Sequence, residues 1–361
     1  MVLREFYIEL LAGFALLCAT CACTFAQGTD STSAAAPVVV GGFVDSYFSF
    51  NFGRPAGHVN RLRNFDVTEN QIAVSNAEIA VTKAPAPVGF RVDLDFGPAN
   101  DIVQGGVPGS LGNVGQAYLT YIAPIGAGLT IDAGKFVTHM GQEGIKAKDD
   151  YNYSRSFLFA LSIPYYHLGI RGSYPLTGTL TVCAHIYDSY NGPAVNSGKT
   201  YGFQATYSPS SAISIIGNYL GGPALPDSVS KKFRNVVNLI LSYQATDKLG
   251  LMLDAVYGQE NLPAGVALWK GAAAYARYAL NEASAMTVRG ELYSDPSGYT
   301  SGISQNLQEI TLTYEYRPVT SLILRAEYRY DTSDGAAFDG ENGPLSRRNQ
   351  GTLGIGAIVV F

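Results

Sequence analysis

The residues of this chain that could do chemistry are charged side chains that alternate with apolar ones. In TSLILRAEYRYD (320–331), Arg325, Glu327 and Arg329 point to one side of an extended chain, while leucine, alanine and tyrosine point to the other. Fixed charges on one face attract or repel ions in the adjacent water, but this pattern arranges no nucleophile or base. It therefore indicates electrostatic guidance of ions or solutes rather than catalysis.

Further charges of this kind lie on similar alternating runs and in the longest connection of the chain, 139–164. The candidates on the runs are Arg91, Asp93, Asp95, Asp132, Arg171, Arg289, Glu291, Glu309, Glu315, Arg325, Glu327 and Arg329. The candidates in the connection are Glu143, Lys146, Lys148, Asp149, Asp150 and Arg155. Both signs occur, so the sequence does not decide between a preference for anions and a preference for cations.

Other residues with chemical potential are few. His167 and His185 lie on two neighbouring runs, with Cys183 close by, and a pair of facing imidazoles would suit zinc or copper. A shift of one residue in register would separate them, so a polar lining is the alternative interpretation and we predict no metal site. The chain has no P-loop, G-x-S-x-G or H-E-x-x-H motif, and no cofactor is expected. A formal net charge of −5 argues against binding to nucleic acid.

The runs that carry these charges alternate in polarity with a period of two, which is typical of β-strands. We count sixteen runs, none of which contains any of the 17 prolines. The predicted fold class is therefore all-β with about 16 strands, and 14 or 18 strands are alternatives. The runs are 42–52, 70–82, 88–97, 114–123, 128–138, 165–174, 179–189, 199–208, 212–221, 234–245, 249–259, 268–280, 284–294, 305–316, 320–331 and 350–361.

The connections between the runs are alternately short and long. The short connections are 83–87, 124–127, 175–178, 209–211, 246–248, 281–283 and 317–319. The long connections are 53–69, 98–113, 139–164, 190–198, 222–233, 260–267, 295–304 and 332–349. This alternation predicts consecutive antiparallel hairpins in an up-and-down transmembrane β-barrel, with short periplasmic turns and longer outer loops.

The cost of exposing charge to lipid decides which face of each strand points outward. An Arg or Lys that faces lipid at the bilayer midplane costs about 2–4 kcal/mol, so the charged face is expected to line the lumen. Sixteen strands leave an aqueous channel rather than a packed core. Tyr and Phe near the strand ends suit the aromatic girdles of such barrels, although both residues also favour strands in general. The last run, GTLGIGAIVVF, ends with Phe361, the final residue of the chain.

The N-terminal segment predicts export. Residues 1–26 contain an early arginine, an apolar stretch and Thr24-Phe25-Ala26, which together resemble a secretory signal peptide. Residues 27–40 are rich in small side chains and are interpreted as a periplasmic linker, and residues 41–361 as the transmembrane barrel. Three of the four cysteines lie in the signal peptide, so the mature chain needs no disulfide.

The mature chain resembles the β-barrel porin-2 family, the OmpL-like porins of bacterial outer membranes. The matching elements are GGFVDSYFSFNF (41–52), NQIAVSNAEIAV (70–81), VGFRVDLDFG (88–97), VGQAYLTYIAP (114–124) and the dense stretch 134–174. The second half matches by pattern more than by motif. The resemblance implies passive diffusion of small hydrophilic solutes or ions across the outer membrane. It also implies that Phe361 is part of an assembly signal.

Similarity to general porins further suggests that the third long connection, 139–164, folds into the lumen and narrows it. Its apolar part, 157–163, would then be buried against the wall, although a surface helix or an outer contact is the alternative. The implied partners are lipid, lipopolysaccharide, the barrel-assembly machinery and two further copies in a homotrimer. Arg61 and Arg63 could contact lipopolysaccharide phosphates, or could lie in an ordinary solvated loop. A plugged structural or adhesive barrel, and a barrel hydrolase with a Ser-His pair, remain alternative functions.

Overall fold

The computed structural model describes residues 36–105, 107 and 109–361, which form one β-barrel. The predicted signal peptide and most of the predicted linker lie outside the described residues. The barrel strands are β1 (Val38–Asn51), β2 (Ile72–Lys83), β3 (Val88–Phe96), β4 (Val114–Ala123), β5 (Leu129–Val137), β6 (Tyr166–Pro175), β7 (Leu180–Tyr187), β8 (Thr200–Ser210), β9 (Ile213–Pro223), β10 (Phe233–Gln244), β11 (Leu249–Leu262), β12 (Gly265–Asn281), β13 (Ser284–Asp295), β14 (Gln305–Val319), β15 (Leu322–Ser333) and β18 (Asn349–Val360).

The remaining elements lie in the connections. A small hairpin of β16 (Phe338–Gly340) and β17 (Gly343–Arg347) precedes the last barrel strand, and helix α1 (Pro98–Gln104) follows β3. Single helical turns occur at Gly109–Asn113, Ala147–Asp149 and Leu158–Ser162. Within the described part of the chain, no helix is long and apolar enough to cross a membrane.

The sheet closes because the first and last strands pair. β1 and β18 run antiparallel from Phe43 opposite Val360 to Asn51 opposite Thr352. Beyond this ladder, the backbone N–H of Gly42 donates to the carbonyl of Phe361 (3.0 Å) and the N–H of Phe361 donates to the carbonyl of Gly42 (3.1 Å). A closed sheet leaves no row of unpaired backbone groups, which lipid could not satisfy. The predicted sixteen-stranded antiparallel up-and-down barrel is confirmed.

The two faces of the barrel have the polarity that lipid demands. On β14, Leu312 and Tyr314 are exposed on the outer face, whereas Thr311 and Thr313 are buried on the inner face. Arg325 on the neighbouring strand is likewise buried inside the barrel. Apolar side chains thus face outward and charged ones inward, as the cost of charge in lipid predicts.

Two predicted boundaries are wrong. Residues 38–40 already belong to β1 and pair with residues 81–83 of β2, so the barrel begins three residues before the predicted start at 41. These three valines carry no alternating polarity, which is why the period-two pattern missed them, although valine favours strands. The predicted long connection 260–267 is a two-residue turn, because β11 and β12 stay paired up to Leu262 opposite Gly265.

Proline also enters strand ends more often than we predicted. Pro175, Pro209, Pro223 and Pro318 all lie within the last residues of a strand. The pairing register shifts next to two of them, between residues 207 and 210 and between 316 and 319. Proline lacks an N–H group, so a position where the ladder is irregular or ending tolerates it.

The first three long loops pack together at one end of the barrel. We name them L1 (residues 52–71), L2 (residues 97–113) and L3 (residues 138–165). Phe65 of L1, Val103 of L2 and Phe159 of L3 are buried in one cluster, and the rings of Phe65 and Phe159 are 5.8 Å apart. The loop end is therefore an ordered structure rather than a set of free tips.

Deletion of Phe361 is expected to reduce the amount of folded barrel in the outer membrane. The side chain is exposed, so the loss removes little packing, but it does remove the two backbone hydrogen bonds to Gly42. Such bonds contribute about 0.5–1.5 kcal/mol each, which a large barrel tolerates. Heat-modifiable gel mobility measures the folded fraction, with Val359→Ala on the same face as control. If Phe361 is an assembly signal, the defect appears in cells but not on refolding into detergent; equal defects in both would refute this role.

Candidate functional site

Loop L3 leaves the wall after β5, crosses the lumen and returns at β6. Near its start, the N–H of Gln142 donates to Oδ2 of Asp254 on β11 (2.9 Å). Near its midpoint, Nδ2 of Asn152 donates to Oγ1 of Thr313 on β14 (2.7 Å). The loop therefore follows the inner surface of the barrel, as the similarity to general porins led us to expect.

Two wall carboxylates hold L3 by its backbone. The carboxylate of Glu327 on β15 accepts hydrogen bonds from the N–H groups of Tyr153 (2.6 Å) and Ser154 (2.9 Å). Glu291 on β13 binds the N–H groups of residues 157 and 158 in the same way, at 2.7 and 2.6 Å. All four contacts are buried, and a buried group that loses its hydrogen-bond partner costs about 1–3 kcal/mol. These contacts fix the path of the loop.

Two wall arginines bind the carbonyl groups of the same loop. Arg325 donates to the carbonyl oxygens of Ala147 (2.6 Å) and Asn152 (3.1 Å), and Arg329 donates to the carbonyl oxygen of Arg155. Each of these arginines also keeps a wall carboxylate at 2.7 Å. Their positive charges therefore interact with the loop and the wall, and not with water in the lumen.

Arg289 on β13 joins wall and loop in a fully buried cluster. Its guanidinium binds Glu309 of β14 (2.7 Å), Glu143 of L3 (2.6 Å) and the carbonyl oxygen of Ser154 (2.7 Å). Burial raises the pKa of Glu143, but the Arg289 charge and the hydrogen bonds from Ser156 outweigh it and hold that pKa below its ordinary value. Glu143 thus stays ionised beside Arg289.

Farther round the same wall, beyond β15, β18 and β1, Lys146 ties L3 to β2 and β3. Its ammonium group lies 2.8 Å from Oδ2 of Asp93 and also contacts Glu78. Burial lowers the pKa of Lys146, but the two carboxylates outweigh it and raise that pKa above its ordinary value. The loop is thus anchored to two parts of the wall, β13 to β15 and β2 to β3.

A cavity of about 410 Å³ remains between L3 and the wall formed by β3 to β6. The loop contributes residues 140–146 to its lining. The wall contributes Arg91, Gln116, Tyr118, Val137 and Arg171. The cavity is polar, and it lies on the side of the lumen that L3 does not fill.

A second cavity of about 490 Å³ lies near the short turns at the other end of the barrel. Its charged lining is Lys148, Asp149, Asp150, Arg277, Glu282, Glu315 and Arg317. Asp149 lines both cavities, so the two meet beside this side chain. We refer to them together as the passage.

The residues singled out from the sequence separate into three groups. Those that line the passage are Arg91, Glu143, Lys146, Lys148, Asp149, Asp150, Arg171 and Glu315. Those that lie in the wall behind its lining are Asp93, Asp95 and Asp132. Those buried in contacts that hold L3 or the wall together are Arg155, Arg289, Glu291, Glu309, Arg325, Glu327 and Arg329. The side chains of the third group make contacts within L3 or the wall instead of facing open water.

Several residues that shape the site escaped the sequence analysis. Arg277, Arg317 and Tyr118 line the passage, and Glu78 binds Lys146. Arg277 and Glu78 lie on predicted strands, so alternating polarity could have marked both. Arg317 lay in a predicted turn, because β14 extends farther than the pattern showed.

The two histidines of the predicted hairpin do come close, together with His139 of L3. The rings of His139 and His185 stack with centroids 4.1 Å apart, and His167 stacks on Tyr187 at 4.0 Å. The Tyr187 hydroxyl lies 2.6 Å from Nδ1 of His185, which occupies a nitrogen that a metal would need. Among the described residues, no group of three His, Cys, Asp or Glu side chains is arranged to hold a metal ion. The cluster packs the start of L3 against the wall.

The suggested role of Arg63 at lipopolysaccharide phosphates is wrong. Its side chain is buried between Asp66 (2.6 Å) and Asp331 (3.0 Å), where L1 folds into the barrel mouth. The two carboxylates satisfy the guanidinium, so it cannot reach lipid. Arg61 is partly exposed, 3.8 Å from Asp339, and a contact with phosphate there stays a prediction.

A closed antiparallel barrel of sixteen strands, with a charged lumen crossed by its third long loop, is the architecture of outer-membrane porins. The family model described as "Putative beta-barrel porin-2, OmpL-like" matches residues 37–361. The chain therefore belongs to this family, and it is a porin of the bacterial outer membrane. No curated protein sequence matches the chain.

Solved structures of other porins share the fold. The outer-membrane channel DcaP of Acinetobacter baumannii is 14% identical, covering 91% of this chain and 98% of its own, with a TM-score of 0.60. An anion-selective porin from Comamonas acidovorans is 13% identical, covering 90% of this chain and 100% of its own, with a TM-score of 0.62. The trimer form of OmpT from Vibrio cholerae is 12% identical, covering 91% and 100%, with a TM-score of 0.60. At these identities the likeness is one of fold.

Proposed function

We propose that small hydrophilic solutes and ions diffuse passively along the passage between L3 and the wall of β3 to β6. The observation that carries this proposal is that the two polar cavities, of about 410 and 490 Å³, meet beside Asp149. The passage runs along the inner wall, where charged side chains meet water. Solutes are filtered by size and by charge, without chemical turnover.

The rigidity of L3 supports the filter. A constriction selects by size only if its walls hold their positions while solutes pass. Here the carboxylates and arginines of β13 to β15 bind the loop backbone, and Lys146 of the loop binds Asp93 on β3 and Glu78 on β2. The porin family and the porin fold support a channel rather than an enzyme.

A plugged barrel is the second candidate function. Phe65, Val103 and Phe159 pack together over the loop end of the barrel, and this apolar cluster would narrow or close the entrance to the passage. In a plugged barrel, the same ordered loops would act as a structural or adhesive surface. The two candidates differ in whether ions cross the membrane.

The full-length mature protein, purified in detergent and added to a planar lipid bilayer, separates these candidates. Discrete, reproducible conductance steps are expected from the passage. Insertion without steps, with the folded state verified by heat-modifiable mobility, would favour the plugged barrel. Liposome swelling with neutral sugars of increasing size then gives the size limit.

Tyr118→Ala is expected to raise the conductance of each step. The Tyr118 ring lines the cavity between L3 and the wall beside Arg171, so removing it widens the path at that point. Leu312→Ala, which shortens a side chain on the lipid face of β14, is the matched control and should leave the conductance unchanged. If both variants conduct like the unmodified protein, the ions take another route.

The assembly state is a further part of this proposal. A homotrimer is proposed because one structural relative, OmpT of Vibrio cholerae, has a trimer form. The surrounding lipid, lipopolysaccharide at the outer leaflet and the barrel-assembly machinery are the other expected partners. Chemical cross-linking in the intact outer membrane measures the number of copies in each assembly.

A further inference from the structure

We propose that the passage prefers small anions to cations, because basic side chains meet its water while most of their carboxylate partners lie behind them. This inference rests on the proposed passage along L3. The whole chain carries a formal net charge of −5, so the preference would be a local property of the lumen. The three arrangements that carry it occur at Arg91, at Arg171 and around Glu315.

Arg91 lies between the water of the passage and its carboxylate partner, Asp93. Its Nε binds both oxygens of Asp93, at 2.9 and 3.1 Å, and its side chain is 34% exposed whereas that of Asp93 is 0% exposed. Asp93 also accepts hydrogen bonds from Gln116 (2.7 Å) and Lys146 (2.8 Å). Within the described part of the chain, no hydrogen bond engages the terminal nitrogens of Arg91. Its positive end is therefore available to a solute in the passage.

Arg171 repeats the arrangement on β6. Its Nε donates to Asp132 (2.8 Å), and the arginine is 25% exposed whereas the aspartate is 12% exposed. Asp132 also accepts a hydrogen bond from Thr120 (2.6 Å). The guanidinium carbon lies 4.5 Å from the centre of the Phe136 ring and 5.6 Å from that of Tyr118. These rings hold the guanidinium in place, so its terminal nitrogens face the cavity with little freedom to turn away.

The second cavity continues the pattern. Arg277 and Arg317 bind Glu315 at 2.8 and 3.0 Å, and the glutamate is 5% exposed whereas the two arginines are 29% and 42% exposed. Asp149 is the exception inside the passage: it is 59% exposed, whereas its partner Lys148, at 2.8 Å, is 25% exposed. Glu282 is exposed on the turn between β12 and β13, at the rim of the cavity.

A permeating ion responds mainly to the charges that are nearest to it. Low-dielectric walls focus the field of charged groups into a narrow passage, and rings of Arg or Lys are the usual lining of anion pores. The buried carboxylates are farther away and are neutralised by the groups in front of them. A small anion thus meets free N–H donors, whereas a cation meets the positive side of each ion pair.

Ion selectivity of the purified protein in a planar bilayer tests this inference. Under a KCl gradient, the reversal potential of the unmodified channel is expected to have the sign of chloride permeation. Arg171→Gln uncovers Asp132 and removes one positive charge. It is expected to lower the chloride-over-potassium permeability ratio about tenfold, because the loss of one positive charge at roughly 6 Å in water disfavours chloride and favours potassium by about threefold each. Arg54→Gln, on an exposed loop side chain outside the passage, is the matched control and should leave the ratio unchanged.

The outcomes separate this inference from the proposed function. Clear conductance steps with a reversal potential near zero, or of the potassium sign, would overturn the anion preference and leave the passage standing. Folded protein that inserts without any conductance would overturn both. A chloride-signed potential that Arg54→Gln shifts as much as Arg171→Gln would overturn the assignment to the passage lining. If Arg171→Gln fails to fold, the reversal potential of the unmodified channel still decides the sign.

Discussion

Arg289→Met is expected to destabilise the barrel by about 3–5 kcal/mol and to release L3 from the wall. The substitution removes the cation but leaves Glu143 and Glu309 buried, each within 2.7 Å of the lost guanidinium. An unpaired buried carboxylate is costly, and the loop can relieve this cost by moving Glu143 into water. Urea unfolding followed by gel mobility gives the stability. Trypsin cleavage after Lys146, Lys148 or Arg155 reports whether the loop has moved.

Arg317→Met is the matched control for this prediction. It removes the same kind of side chain from an ion pair with Glu315 at 3.0 Å, but Arg317 is 42% exposed and Glu315 keeps Arg325 at 2.7 Å. Surface ion pairs contribute about 0–1 kcal/mol, so little change in stability or cleavage is expected. If the two variants unfold alike and resist trypsin alike, the buried cluster does not hold the loop.

The orientation of the wall charges was predictable because it depends on one large cost. A period of two assigns each side chain to one face, and the free-energy cost of Arg in lipid decides which face points inward. Arg325 and Arg329 follow this rule and lie inside the barrel. What they touch there was not predictable, because a strand pattern says nothing about what fills the lumen. Their partners are carbonyl groups of L3, more than 160 residues away in the sequence.

The exposure of each charged side chain could not be predicted from the sequence either. Asp93 and Arg91 stand two residues apart on the same face of β3, and their pattern treats them alike. In the structure, Asp93 is enclosed by three donors whereas Arg91 reaches the cavity. The two donors other than Arg91, Gln116 and Lys146, come from β4 and L3. A preference between anions and cations therefore depends on tertiary contacts, which explains why the sequence alone left it open.

The turn between β11 and β12 was predicted to be too long, for a related reason. Pro263 and Gly265 mark a loop by composition, and a long connection fitted the alternation of the other connections. The structure keeps β11 and β12 paired up to Leu262 opposite Gly265, so these residues form the tight end of a long hairpin. Composition identified the bend but could not give its length, since the length is set by how far the two strands continue to pair.

Excising residues 144–155 and joining residues 143 and 156 through a short glycine linker is expected to raise the conductance severalfold. The join is feasible because the Glu143 carboxylate accepts a hydrogen bond from the N–H of Ser156 (2.7 Å), so the two cut ends lie close together. The excised segment lies inside the barrel, bound to β2 and β3 through Lys146 and to the arginines of β15. Without it, the lumen of a sixteen-stranded barrel is open at this level. The apolar part of L3, 157–163, stays in place.

The same deletion is expected to shift the permeability ratio towards cations. It removes three positive and two negative charges: Lys146, Lys148, Arg155, Asp149 and Asp150. Glu327 loses both of its backbone N–H donors and Glu78 loses its ammonium partner, so both carboxylates then face water. Deletion of residues 227–229 from an exposed loop outside the passage is the control, and should change neither conductance nor selectivity. Unchanged conductance in the L3 deletion, with the barrel folded, would show that L3 is not the constriction. The contacts between L3 and the wall would then contribute to stability alone.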